Sequence, residues 1–123
     1  MSDMLIKIVK PDFTFTDERG TLAQLVHSGY EQVNFVYTEK GAVRGNMHYH
    51  ALSDETFYVG SGKVKVTARL EDEEEERIFA QGDMFTLPAG VRHTFEYLEN
   101  TNLVVLYTKA VEREDGSKDI LTD

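Results

Sequence analysis

Short runs of alternating apolar and polar residues, separated by turn residues, recur along this 123-residue chain. Alternation with a period of two is the mark of half-buried β-strands. The clearest run follows Gly62: Val64, Val66, Ala68 and Leu70 point one way, and Lys63, Lys65, Thr67 and Arg69 the other. Residues 103–108 are apolar enough to be buried on both faces. Further strands are expected over 22–26, 32–37, 55–59, 77–80, 84–87 and 94–98. No segment sustains a helical period, so the pattern predicts an all-β sandwich or barrel with little helix. No internal repeat or linker divides the chain, which reads as one domain over 1–123.

Two charged stretches interrupt the alternation. Residues 71–76 are six consecutive acids between two strand patterns and read as a solvated hairpin loop. The segment from Glu112 onward reads as a frayed terminus or a loop feeding a last short strand.

Composition narrows the class. With 41% hydrophobic and 28% charged residues, the chain is globular rather than disordered. A net charge of −9 argues against nucleic acid as a partner. An anionic ligand would need a local cluster of arginines working against that field. No stretch approaches the ~20 apolar residues of a membrane span. Residues 1–10 lack the basic start and long apolar run of a secretory signal, so a cytoplasmic location is expected. Cysteine is absent, which leaves imidazole and carboxylate as the groups able to hold a metal.

Those groups fall into phase. His48 and His50 are one residue apart, so both imidazoles share a strand face, together with Asn46 and opposite Met47 and Tyr49. Glu55 is in phase with Phe57 and Val59, against Thr56 and Tyr58, and His93 with Phe95 and Tyr97, against Thr94 and Glu96. Three imidazoles and a carboxylate on inward faces would be costly to bury without a shared partner. One divalent cation held by His48, His50, Glu55 and His93 resolves that cost and leaves positions open for water or substrate. His27 stands alone before Ser28-Gly29 and reads as a surface residue.

The spacing carries a resemblance. From His48 the chain reads His-x-His, four residues, Glu55, six residues, Gly62; later it reads Gly82, five residues, Pro88-Ala89-Gly90, two residues, His93. These segments are similar to the two signature motifs of the cupin family, over 41–97. The resemblance implies an antiparallel double-stranded β-helix, a jelly-roll barrel, and one divalent metal ion (zinc, iron, manganese or nickel). Two positions depart from the family pattern. Gly41 lies one residue further from His48 than usual, and Tyr97 replaces a frequent asparagine, either lining the pocket or packing in the barrel.

Asp17-Glu18-Arg19-Gly20 and Arg44-Gly45-Asn46-Met47-His48 resemble segments of sugar-nucleotide-modifying cupins. The likeness extends to deoxyhexulose 3,5-epimerases and, over more of the chain, to the metal-binding cupin domain of capsular-polysaccharide assembly enzymes. It implies a sugar nucleotide or similar polar small molecule as substrate, with Arg19, Arg44 and Asn46 as binding residues. It further implies epimerisation or isomerisation of a keto-sugar; the chemistry expected is an enolate, with Tyr97, Tyr49 or Tyr58 supplying a proton, although Tyr49 and Tyr58 point outward from the barrel. Arg92 reads as a turn or surface residue. The 3,4-ketoisomerases share the Arg-Gly and His-x-His region, but the full ligand set argues against membership there. A non-haem iron dioxygenase of a small metabolite and a non-catalytic binding module are the alternatives. Cupins commonly form homodimers, and exposed strand edges favour the same expectation.

Overall fold

In the computed structural model, which describes residues 5–122, the strands are β1 (Lys7–Val9), β2 (Phe13–Asp17), β3 (Gly20–Gln24), β4 (Gln32–Thr38), β5 (Val43–His48) and β6 (Glu55–Ser61). They continue with β7 (Lys63–Leu70), β8 (Glu73–Ala80), β9 (Met84–Leu87), β10 (Arg92–Tyr97) and β11 (Thr101–Tyr107). No helix occurs among the described residues. The beginning of the segment 1–10 read above lies outside them. One sheet has the order β1-β9-β6-β11-β4, a second β5-β10-β7-β8, and β2 and β3 form a separate hairpin. The pairings are antiparallel, as the period-two patterns predict.

The inward residues of the two sheets form one core. Val64, Val66 and Ala68 of β7 meet Phe57 and Val59 of β6, Phe85 of β9, Phe95 of β10 and Leu103 of β11. Phe85 stacks on Phe79 at 4.0 Å and on Phe57 at 5.0 Å between ring centroids. Aromatic packing of this kind fills the body of the barrel and leaves one end to the polar residues described below.

The acidic stretch does not form a loop. Leu70 pairs with Glu73, so the turn is only Glu71-Asp72, with Glu71 at φ 55° as a tight hairpin requires. Glu73 to Glu76 continue as β8 because the partner strand is basic on its outer face. Arg69 lies opposite Glu74, and Lys65 Nζ reaches Glu76 at 3.8 Å and Glu96 at 2.9 Å. Cross-strand charge pairing outweighs the like-charge repulsion along the chain.

The segment after β11 folds back over one end of the barrel. Tyr49 and Leu121 exchange backbone hydrogen bonds of 2.9 Å each, and Asp119 is buried. Of the two expectations for this segment, the loop leading to a final strand-like contact is the one observed.

Candidate metal centre

His48 closes β5, Glu55 opens β6 and His93 is the second residue of β10, with His50 in the loop between β5 and β6. Strand pairing does most of the assembly. His93 is the cross-strand partner of His48, and their rings meet edge to face at 4.5 Å. The Gly90 N–H donates to the His50 carbonyl at 2.7 Å, which ties the Pro88–Gly90 turn to the loop carrying His50. One nitrogen or oxygen from each of His48, His50, Glu55 and His93 falls within a cluster no wider than 4.8 Å.

The protonation pattern inside the cluster is informative. The Nδ1–H of His50 donates to the Asp119 carbonyl, and His93 Nδ1 faces the Val91 carbonyl at 3.4 Å. Both rings thus turn Nε2 toward Glu55, at 2.6 Å for His50 and 3.5 Å for His93. In a neutral His50 that Nε2 is a bare lone pair. Glu55 Oε1 is buried with no aligned hydrogen-bond donor despite the short contact. Two lone-pair atoms at that distance repel unless a cation or a proton lies among them, so the residues present fit a metal ion.

Burial favours the neutral form at two of the three imidazoles. Burial drives His93 down to about 4 against the pull of Glu55, and burial likewise lowers His48. Burial also opposes charge on His50, but the close Glu55 carboxylate and the Asp119 carbonyl outweigh it and raise the value.

Beyond the cluster lies a cavity of about 140 Å³. Val36, Phe57, Leu103 and Val105 give it an apolar wall, and Arg44, Tyr97 and Tyr107 supply polar groups. Arg44 Nε donates to Thr38 Oγ1 at 2.8 Å, and Thr38 is in turn a hydrogen-bond partner of Tyr97. Burial pushes the Tyr97 phenol up, so Tyr97 stays neutral inside the barrel. Tyr107 is pushed up by burial and by Glu55, and its ring lies 5.7 Å from that of His50.

The remaining candidates are not brought to this cavity. Asn46 does not share a face with His48, because Gly45, Asn46 and Met47 have φ values of 98°, 40° and 60° and form a bulge. Between His93 and Phe95 one residue of β10 faces three of β5, and Asn46 is thrown outward into solvent. Tyr49 lies under the guanidinium of Arg92, 4.1 Å from its ring centroid, outside the cavity lining. Tyr58 and Arg92 do not line the cavity either. Arg19 is on the β2–β3 hairpin, where it clamps Asp17 at 2.6 Å. His27 pairs with Asp12 on the surface at 2.6 Å.

Three features escaped the sequence reading. Tyr107 was within reach of it, since it continues the inward phase of Leu103 and Val105. Gly45 within a strand was a bulge signal, and a Cβ there would lie 2.8 Å from the His93 carbonyl oxygen. Asp119 had no local signal, because the groups its carbonyl and carboxylate contact are 66 to 69 residues away.

Comparison with known proteins places these features. Acireductone dioxygenase of Xenopus tropicalis is 40% identical over 76 residues, which span 61% of this chain and 39% of that protein. Among solved structures, dTDP-4-dehydrorhamnose 3,5-epimerase from Sulfolobus tokodaii superposes with a TM-score of 0.74 at 23% identity, over 87% of this chain and 72% of that one. A sugar 3,4-ketoisomerase from Thermoanaerobacterium thermosaccharolyticum, in complex with TDP, gives 0.79 at 17% identity over 97% and 88%. A 3,4-ketoisomerase from Helicobacter canadensis gives 0.80 at 16% over 98% and 92%. At these identities the structural likeness speaks to the fold, a jelly-roll barrel. The cupin domain model matches residues 34–109, a span that carries all four clustered residues, and this chain belongs to the cupin family.

Proposed function

We propose that this chain is a divalent-metal-binding cupin acting as an epimerase or isomerase on a keto-sugar nucleotide or similar polar carbohydrate metabolite, through an enolate. The observation that carries the reading is the contact between His50 Nε2 and the donor-less Glu55 Oε1, with His93 and His48 completing the set. When bound, a zinc, iron, manganese or nickel ion would supply Lewis-acid polarisation of a carbonyl oxygen, acidifying the neighbouring C–H bond.

The chain's own residues divide the remaining work. Tyr97, held neutral by burial, keeps a proton at its phenol oxygen within the cavity and acts as an acid rather than a base. Arg44 is fixed through Nε to Thr38 and turns to the cavity as a local counter-charge for an anionic group. A cavity of about 140 Å³ is smaller than sites that engulf a whole drug-sized ligand, about 300–1,000 Å³. It takes the reacting end of a substrate and leaves a nucleotide at the mouth. The TDP complex of the similar ketoisomerase supports that class of ligand.

The test is metal analysis of the purified protein, followed by incubation with keto-sugar nucleotides in deuterium oxide. About one first-row metal per chain and deuterium at the carbon beside the ketone are the expected results. Turnover should persist with redox-inert zinc and fall by about 10²–10⁴-fold in Tyr97→Phe if its proton is used. Metal without exchange would leave a binding module.

The second reading is a non-haem iron dioxygenase of a small metabolite, favoured by the match to acireductone dioxygenase and by the apolar cavity wall. It requires iron and consumes oxygen, whereas zinc would silence it. Under either reading we place the protein in the cytoplasm as one domain over 1–123 and as a homodimer. Support for the dimer comes from β4, an edge strand with Val33, Phe35 and Tyr37 exposed on one face.

A further inference from the structure

Asp119 makes two kinds of contact with the loop that carries His50. Its backbone carbonyl accepts the Nδ1–H of His50. Its carboxylate accepts the backbone N–H groups of Ala51 at 2.8 Å, Leu52 at 3.0 Å and Ser53 at 3.1 Å. The residue is only 5% exposed, and these three donors are what compensate its buried charge. The two residues that follow extend the contact: Ile120 lines the cavity, and Leu121 pairs with Tyr49.

The two contacts have separate consequences. The carboxylate fixes where the loop backbone runs. The carbonyl decides which nitrogen of His50 bears hydrogen, and so leaves Nε2 with its lone pair toward Glu55. A ring free to rotate or to take the other tautomer would turn an N–H, rather than a lone pair, toward the cluster. From this we infer that Asp119 is a positioning residue of the metal centre. Docking of the segment 119–121 and cation binding at His48, His50, Glu55 and His93 then stabilise each other. The inference rests on the metal-binding reading above and adds a residue, and a coupled segment, that lie outside the ligand set.

Co(II) serves as the probe, because its visible spectrum reports ligand geometry independently of turnover. Metal-free wild type, Asp119→Ala and Asp119→Asn are titrated against a competing chelator, and amide hydrogen exchange is followed with and without Co(II). The Ala variant is expected to bind Co(II) about 10- to 100-fold more weakly and with an altered spectrum. Asn, which keeps a carbonyl acceptor, should fall between Ala and wild type. In the wild-type protein, Co(II) should slow exchange at 51–53 and 119–121.

A folded Ala variant with faster exchange at 51–53 but wild-type Co(II) affinity and spectrum overturns the inference. If Ala does not fold, an Asn variant identical to wild type, or wild-type exchange at 119–121 indifferent to Co(II), overturns it as well. Wild type that takes up no Co(II) at neutral pH fails the metal reading itself, and that outcome is seen before any variant is compared.

Discussion

His48 and His93 are direct cross-strand partners whose rings stand 4.5 Å apart, although the bulge at Gly45 to Met47 separates that pair from the next register position, Arg44 with Phe95. The bulge adds two residues to β5, an even number, so both Arg44 and His48 keep their inward phase. One strand thereby contributes a metal-ligand candidate and a substrate-binding candidate to the same cavity. Asn46, between them, is lost to solvent.

Gly45 should therefore be sensitive out of proportion to its size. Its φ of 98° is left-handed, and an added Cβ would press on the His93 carbonyl at 2.8 Å. Gly45→Ala is expected to cost about 1–3 kcal/mol of stability and to weaken metal uptake by displacing His93. Urea denaturation and chelator competition read the two effects. A variant of wild-type stability would show that the backbone is not held as described.

Glu55→Gln should separate folding from binding. The amide can donate to His50 Nε2, so the metal-free variant should fold with a melting temperature near that of the metal-free wild type. Metal affinity should drop by more than the about 10–100-fold typical of a supporting residue. The His50 pKa should fall, since the carboxylate whose close contact and charge raise it is gone. An NMR titration in which His50 does not move would count against the lone-pair contact.

Acid should destabilise the metal-free protein through His93. Its folded value of about 4 lies below the ordinary 6.5, so the unfolded chain binds more protons in between. Stability is fully present above 6.5 and is lost as pH falls from there to about 4. The scale is on the order of 3 kcal/mol from one site. His50 works in the opposite sense: its raised value adds stability below 6.5 that is lost as pH rises through the folded value. Urea midpoints at pH 7 and 4.5 for wild type and His93→Gln isolate the first effect. The wild type should lose more than the variant, and equal losses would refute the assignment.

The aromatic core should be separable from the site. Phe85 is fully buried between Phe79 and Phe57, so Phe85→Ala should cost about 3–5 kcal/mol. Metal stoichiometry should be retained at temperatures where the variant is folded. Loss of metal from a folded variant would mean that the core and the cluster are one cooperative unit.

The homodimer can be tested on β4. Phe35 is 71% exposed at the centre of an edge strand. Light scattering should show about twice the chain mass for wild type and a monomer for Phe35→Glu. A monomeric wild type would leave that face without this partner.

The inward phases of Glu55 with Phe57 and of His93 with Phe95 were legible along the chain, because a strand's alternation is local and one buried face enforces it. So were the motif spacings and the all-β class. Other features depended on which strand lies beside which. The acidic run from Glu73 to Glu76 is strand because Lys65 and Arg69 lie opposite it, and nothing within the run itself says so. Asn46 leaves the site because a bulge breaks a phase that simple alternation carries through. Asp119 reaches His50 because the chain folds back across the barrel's end. The sequence by itself determined most strands of the barrel, the inward phase of Glu55 and His93 and the four clustered residues, since these follow from period-two burial and the cost of isolated polar groups. The tertiary structure decided the tautomer of His50, the exit of Asn46 from the cavity, and the entry of Ile120. These are long-range contacts, set by register and chain reversal, and no local pattern encodes them.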